Sequence, residues 1–511
     1  MAAFNASVLD NAVIAAIDLL YRVILRFNYL IKGRMIKASK NTQGDPRLCS
    51  KMLSRCIEFL SGHFIGIVGI VMVLIYMLTY LENCFGPPIR ADGLGYYAYL
   101  PAVFIEKDVS FGTLSENIFG DKIGAYTGIR LVPTTNRYLN KFNMGVAVMM
   151  LPFFLIAHFV TWCMQSPPGG FDWWKFNHLT DGFSLFYQHA SGLSGVVYML
   201  LGLALLKRVL ERFFRRGVVI AGLAALVFGT NLLHYGSGES VLSHPYSFFL
   251  FSTLLYLIPY WYEAPDKRRN TILLGLLSGL IVLVRVPSML FLIFVPLYGV
   301  ASLDSARQRL RVLLIRWKDC LWILALMFAV YFPQMLLHRY ATGSWWVNPY
   351  ARQGEGFNFL SPKILEVLIG PKAGLFFWSP ILLLVVPGLF LLKRHASGIC
   401  CPAIIYLLMN TYIISSWHMW WFGGGFGHRA FIESYTIMTF GLCAVYASVS
   451  SRIGRYALLF MSTAFVGYSL FMMKLYYTRE ISYYGLDWAA LFDIFWLRKE
   501  WFLDILRVCH F

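Results

Sequence analysis

Asp92 stands in the string Arg90-Ala-Asp-Gly-Leu-Gly-Tyr-Tyr-Ala-Tyr-Leu-Pro101, eleven residues past a long apolar run. A carboxylate there faces water while its surroundings stay partly apolar, the setting of a general base that must be ionised and close to a hydroxyl. The glycines around it allow close backbone approach, and Tyr96 and Tyr97 offer faces on which a sugar ring can stack. A glycine turn with interfacial tyrosines would read the same way. Glu239 and His244 share a second short turn, Tyr235-Gly-Ser-Gly-Glu-Ser-Val-Leu-Ser-His-Pro245, between two apolar runs. Ionisable groups so close to a bilayer core are costly and mark functional sites by default. One Glu and one His five apart do not make a metal site, so they read as substrate contacts or as a helix cap with an interfacial His.

Arg285 lies in the middle of an apolar stretch, where its planar fork suits a phosphate; pairing with Glu239 or a backbone carbonyl is the alternative. Further cations, Lys372 and Arg429 among them, fall in segments expected on the same side, and His428 precedes Arg429 at the end of a glycine-rich turn. Positive charge gathered there suggests an anionic ligand, most simply a phosphate. Trp420, in Trp417-His-Met-Trp-Trp421, belongs to an interfacial aromatic belt or to a saccharide-stacking face. The run Gly423 to Gly427 lacks the Lys and helix context of a P-loop, so nucleotide binding is not indicated.

What must position these residues is a membrane-spanning scaffold. Hydrophobic residues make up 58% of the 511-residue chain and charged residues 14%, against about 25% charged in a soluble domain. A soluble enzyme with one anchor and a disordered chain are both excluded. The net charge of +18 fits surplus Lys and Arg in cytoplasmic loops better than a nucleic-acid binder. The nine cysteines show no zinc spacing and no framework of a small secreted domain.

Residues 8–32 read as an amphipathic helix in the membrane interface, and a basic stretch follows from Lys32 to Arg55, placing the amino terminus in the cytoplasm. Apolar runs then occur at 64–81, 143–163, 190–206, 217–235, 245–262, 270–303, 320–337, 375–392, 399–416, 430–449 and 456–473. Five basic connections separate them, at 207–216, 266–269, 307–318, 393–394 and 452–455, and each is expected on the cytoplasmic side. The run 270–303 has a basic connection at both ends and is too long for one span, so it is read as two short helices hinged at Arg285 and Pro287. Parity then makes 143–163 a juxtamembrane or re-entrant helix rather than a crossing. The expectation is an all-α integral membrane fold with about eleven transmembrane helices and two large extracytoplasmic loops, 82–189 and 338–374, that carry juxtamembrane helices. Three regions follow: a cytoplasmic extension over 1–62, a polytopic domain over 63–474 and an extracytoplasmic tail over 475–511. No internal repeat of the kind found in many secondary transporters is visible.

Together these residues resemble the polytopic glycosyltransferases of the C superfamily, which include protein O-mannosyltransferases, aminoarabinose transferases and bacterial membrane proteins of uncharacterised activity. The resemblance rests on Asp92 soon after the first span, on Asn140-Lys-Phe-Asn-Met-Gly145 leading to Leu151-Pro-Phe-Phe154, on Ser243-His-Pro-Tyr246, on Gly374-Leu-Phe-Phe-Trp-Ser-Pro380, and on Trp420-Trp-Phe-Gly423 with Phe426-Gly-His-Arg429. It covers roughly 64–450. It implies that Asp92 is the catalytic base and that a sugar passes from a polyprenyl-phosphate carrier to a hydroxyl of a glycan, lipid or protein, outside the cytoplasm. Arg285, helped by Arg429 or Lys372, would then meet the departing phosphate, with Glu239, His244, His428, Tyr96, Tyr97 and Trp420 as further substrate contacts. Many relatives have an acidic pair where this chain has Asp92 alone, so a divalent metal is not indicated. A multi-pass protein of a bacterial plasma membrane, acting on the cell envelope, is the expected setting. The alternative is a transporter or flippase for a phosphorylated lipid or lipid-linked glycan, in which the same cations bind but no base is needed.

Overall fold

The computed structural model describes residues 46–81, 86–115, 127–164, 180–482 and 486–497. The interfacial helix expected over 8–32 and the tail beyond 497 lie outside the described residues. Helices dominate, as expected of an all-α membrane protein. Among the described residues, six helices are long and apolar enough to cross a membrane: Gly62–Tyr80, Gly145–Met164, Leu185–Leu210, Trp317–Thr342, Ser397–Ser416 and Arg452–Tyr477.

Helix α1 (Pro46–Leu81) opens on a proline, whose fixed φ suits the first turn. A short helix α2 (Ala91–Tyr97) carries Asp92 in its first turn. One element departs from the all-α expectation: β1 (Ile129–Val132) and β2 (Arg137–Asn140) form an antiparallel hairpin, with Ile129 opposite Asn140. Four-residue strands are too short for an alternating pattern to show in the sequence. The hairpin is tied to the end of a later helix, where Arg137 donates to the Tyr340 carbonyl at 2.9 Å.

Helix α3 (Gly145–Met164) runs antiparallel to α4 (Leu185–Leu210): Tyr198 donates to the Met149 carbonyl at 3.1 Å, and His158 Nδ1 meets the Tyr187 hydroxyl at 2.6 Å. By length and apolarity α3 qualifies as a span, which the parity argument denies it; its first residue packs against the backbone of Leu283 and Val284. Helix α5 (Arg216–Gly229) has 14 residues, about 21 Å at 1.5 Å per residue, and breaks at Thr230 before a short turn of helix, Leu232–Tyr235. Helix α6 (Ser243–Glu263) returns beside α4.

Helix α7 (Arg268–Val284) stops where the sequence places the hinge. Arg285 is extended, with φ −152° and ψ 118°, and a 3-10 helix, Val286–Ile293, continues from it with Pro287 in its first turn. An amphipathic helix, α8 (Leu303–Ile315), occupies the basic connection and buries none of its residues. Helix α9 (Trp317–Thr342) lies close against α7, because Gly275 and Gly279, four apart, let the backbones approach. The apolar run 375–392 is broken at Ser379-Pro380 into a helical turn, a 3-10 segment and α10 (Val385–His395). Helices α11 (Ser397–Ser416), α12 (Tyr435–Ser448) and α13 (Arg452–Tyr477) complete the bundle, followed by α14 (Trp488–Leu497).

The five basic connections meet at one end. Arg212 lies over the rings of Tyr256 and Tyr260, Arg316 and Arg309 lie over Trp261 and Tyr262, the Phe214 ring packs on His395, and His395 bonds Ser448. The polar turns that carry Asp92, Glu239 and Arg429 gather at the other end.

Candidate functional site

Four segments converge there on one cavity of about 870 Å³. Helix α2 contributes Asp92, the 236–244 turn contributes Glu239 and His244, the α7 break contributes Arg285, and the loop after α11 contributes Arg429 and Glu433. Each local conformation has a sequence cause. Gly195 of α4 lets the 236–244 turn sit against the helix, since a Cβ there would overlap the Ser240 carbonyl. Gly423, Gly425 and Gly427 all take positive φ, which swings the loop back so that Arg429 faces α2. The segment 344–363 closes over the cavity, held by Lys141 to Glu355 at 3.0 Å and by backbone bonds from Asn358 to Ser416 and from His418 to Gly356.

Each of three carboxylates on the wall meets an arginine. Arg429 Nη2 is 3.0 Å from Asp92 Oδ2, Arg90 Nη2 is 3.2 Å from Glu239 Oε1, and Arg285 Nη1 is 2.6 Å from Glu433 Oε1. His244 Nδ1 reaches the same Glu433 oxygen at 3.1 Å. The Arg285 guanidinium and His244 together give this buried carboxylate a counter-charge and a hydrogen bond. The Glu239 carboxyl, in the turn, is held down to about 2 against its burial, by His234, Arg90 and Arg429. Asp92 differs in access: its side chain is 37% exposed, whereas that of Glu433 is 5% exposed. Of the paired carboxylates Asp92, Glu239 and Glu433, Asp92 is therefore the one a substrate reaches without first entering the protein interior.

Below the charges the wall turns apolar. Val286, Met289 and Phe328 line the cavity and are each about half exposed on the bundle surface. The cavity therefore joins a charged compartment to an apolar flank.

The structure brings Asp92, Tyr96, Glu239, His244, Arg285 and Arg429 to this one cavity. Four other residues singled out from the sequence lie elsewhere. Tyr97 is fully buried and donates to the Gly182 carbonyl, between the rings of Phe154 and Phe183. Lys372 sits 3.6 Å from the centre of the Trp421 ring, and Trp420 packs edge-on against Trp421. His428 is buried between Phe422 and Phe431, and that burial pushes its imidazole down to about 3, so it packs as a neutral ring. Arg285 pairs with Glu433 and not with Glu239.

Glu433, Arg90, Lys141 and Glu355 are the wall charges that the sequence reading did not single out. Glu433 was open to the rule that found Arg285, since it is the acid in the apolar run 430–449. No group of three or more His, Cys, Asp or Glu side chains among the described residues is placed to hold a metal ion. What the fold and the cavity define is a class, a helical membrane protein with a deep cavity of paired charges at the end opposite its basic connections. Compared with known proteins, the chain matches no family model and no curated sequence.

Proposed function

We propose that the protein is a membrane glycosyltransferase that moves a sugar from a polyprenyl-phosphate carrier to a hydroxyl of a glycan, lipid or protein acceptor on the extracytoplasmic face. The observation that carries this reading is the two-sided cavity: an accessible carboxylate paired with an arginine, continuous with an apolar wall that is half open at Val286, Met289 and Phe328. A ligand with a charged, hydroxylated head and a hydrocarbon tail fits both parts.

In this reading the lipid phosphate draws Arg429 away from Asp92. The freed carboxylate takes the proton of the acceptor hydroxyl, the hydroxyl oxygen bonds to the anomeric carbon, and the bond from that carbon to the phosphate oxygen breaks. The electron pair leaves with the lipid phosphate, which Arg429 neutralises where charge develops. Arg285, committed to Glu433 at 2.6 Å, supports the wall rather than standing free, and Lys372 is not at hand. The eleven-crossing topology belongs to the same proposal. In it, cysteines introduced near Gly356 react with an outside reagent and those near Arg212 or Arg311 do not.

The test is purified protein in nanodiscs with a hydroxyl acceptor and a set of hexose, pentose and amino-sugar polyprenyl phosphates, following both the glycosylated product and the liberated lipid phosphate. Transfer with stoichiometric release supports the reading. Failure with every donor, together with movement of intact lipid-linked sugar across vesicles, replaces it with the transport reading.

A further inference from the structure

The wall of the cavity is built almost wholly from groups that already have partners. Asp92, Glu239 and Glu433 each hold an arginine, and Lys141 holds Glu355. His244 is the exception in that only one of its two ring nitrogens is paired, and its chemistry is fixed by its neighbours. Its Nδ1 lies 3.1 Å from a carboxylate oxygen of Glu433, which only accepts, and 3.4 Å from Nη1 of Arg285, which only donates. The nearer contact is a hydrogen bond only if Nδ1 carries the proton. With the proton elsewhere, a nitrogen lone pair would face a carboxylate across 3.1 Å. Nδ1 is therefore the donor, Glu433 is the group that orients the ring, and Arg285 fixes Glu433. The Tyr235 ring packs edge-on against the imidazole, 5.6 Å between centres, and holds it from another side.

Burial holds the imidazole below its ordinary value, so at neutral pH the ring carries one proton and Nε2 is left as a lone-pair nitrogen. No hydrogen-bond partner for it occurs among the described residues, it is not among the fully enclosed unpaired atoms, and His244 lines the cavity. A neutral lone-pair nitrogen accepts a hydrogen bond and cannot give one. It repels a phosphate oxygen, which is also an acceptor, and it attracts an O–H or N–H group. Next to it Tyr96 donates to Ser243 at 3.2 Å, so the neighbouring hydroxyl is already used.

We infer that His244, oriented by Glu433 and Arg285, is the residue that reads a hydroxyl of the donor sugar through Nε2, so that the His244 side of the cavity is a sugar subsite and the lipid phosphate lies towards Arg429. The inference rests on the proposed transfer reading for the identity of the ligand, and on the geometry of the site for the chemistry of the nitrogen. His244 is then a specificity residue: it separates a sugar-bearing lipid from the bare lipid phosphate. Glu433 and Arg285 are positioning residues that act through it.

The experiment is nitrogen NMR on protein labelled with ¹⁵N-histidine in nanodiscs at neutral pH, with His244→Gln used to assign the His244 signals. Two probes are compared, a polyprenyl-phosphohexose and the same polyprenyl phosphate without sugar. Expected are a protonated Nδ1, a bare Nε2, and an upfield shift of Nε2 with the sugar-bearing lipid alone. In parallel, His244→Phe weakens binding of the sugar-bearing lipid by up to about tenfold, the scale of one hydrogen bond, and leaves the bare lipid phosphate unchanged. His244→Gln, which keeps an acceptor, recovers part of the loss. A protonated Nε2, an equal shift with both probes, or equal binding by His244→Phe overturns the inference. Observed transfer with a silent Nε2 overturns the sugar subsite and leaves the transferase reading standing. A sugar-dependent shift without transfer from any donor does the reverse, and if the sugar-bearing lipid does not bind at all, both fall.

Discussion

The two ends of the bundle treat charge in opposite ways. At the basic end, Lys and Arg outnumber the acids of the five connections, and several spread over aromatic rings, as Arg309 does 3.8 Å from the Tyr262 centre. The most exposed ion pair among the described residues is there, with Arg307 and Asp304 76% and 91% accessible, while Lys207–Glu211 and Arg316–Asp319 are partly covered. At the cavity end, the arginines named above each meet a carboxylate, and the Glu433 and His244 side chains lie almost wholly inside. Charge at the first end is mostly an excess of Lys and Arg carried by the connections. At the second it is a built arrangement, because a buried carboxylate is tolerated only where cations and hydrogen bonds replace its water.

The largest effect expected from this contrast is on folding. Glu433→Ala leaves Arg285 without its counter-charge inside the protein and should destabilise by about 3–5 kcal/mol, while replacing both residues with methionine should recover most of that loss. Unfolding in detergent, read as the midpoint for the single and double variants, decides whether the pair acts as a unit. Next in size is Asp92→Asn, which keeps the shape and removes the basic oxygen. Transfer should fall at least ~10²-fold, the scale of a positioned general base, with expression and lipid-phosphate binding retained. Normal transfer by this variant would remove Asp92 from the mechanism.

A smaller effect is expected from acid. The Glu239 carboxyl is held down to about 2 in the folded protein, against the ordinary carboxylate value of 4.5. It therefore adds stability that is complete above about 4.5 and is lost as pH falls towards 2. The thermal midpoint should drop across that window, and Glu239→Gln should flatten the drop; an unchanged slope would show that Glu239 does not govern acid sensitivity. The smallest effect belongs to the other end, where Arg307→Ala, losing an exposed pair, should change stability by less than about 0.5 kcal/mol. A loss as large as that of Glu433→Ala would erase the contrast between the two ends.

Much of the site was legible in the sequence because its residues break a rule of composition. Asp92, Glu239, His244, Arg285 and Arg429 are ionisable groups beside apolar runs, and the cost of placing them there marks each without knowledge of its partner. The hinge at Arg285 was legible for the same reason, with Pro287 to end the helix. Partners were not legible: Arg285 meets Glu433, 148 positions away, and spacing along one chain does not show which of several acids a helix break will face. Direction was not legible either. Tyr97 is one residue from Tyr96 and points to the opposite side, and Trp420 and Lys372 flank Trp421 instead of the cavity. The crossings are blurred because Pro380 and Thr230 interrupt apolar runs that a sequence window reads as continuous.

The most direct test of the central claim is a structure of the protein in nanodiscs with a polyprenyl phosphate bound. The account predicts the phosphate inside the cavity, within hydrogen-bond reach of Arg429 and beside Asp92, with the hydrocarbon chain leaving past Val286, Met289 and Phe328. A phosphate held at the basic end, or a lipid that leaves the Asp92–Arg429 pair closed and the cavity empty, would contradict it.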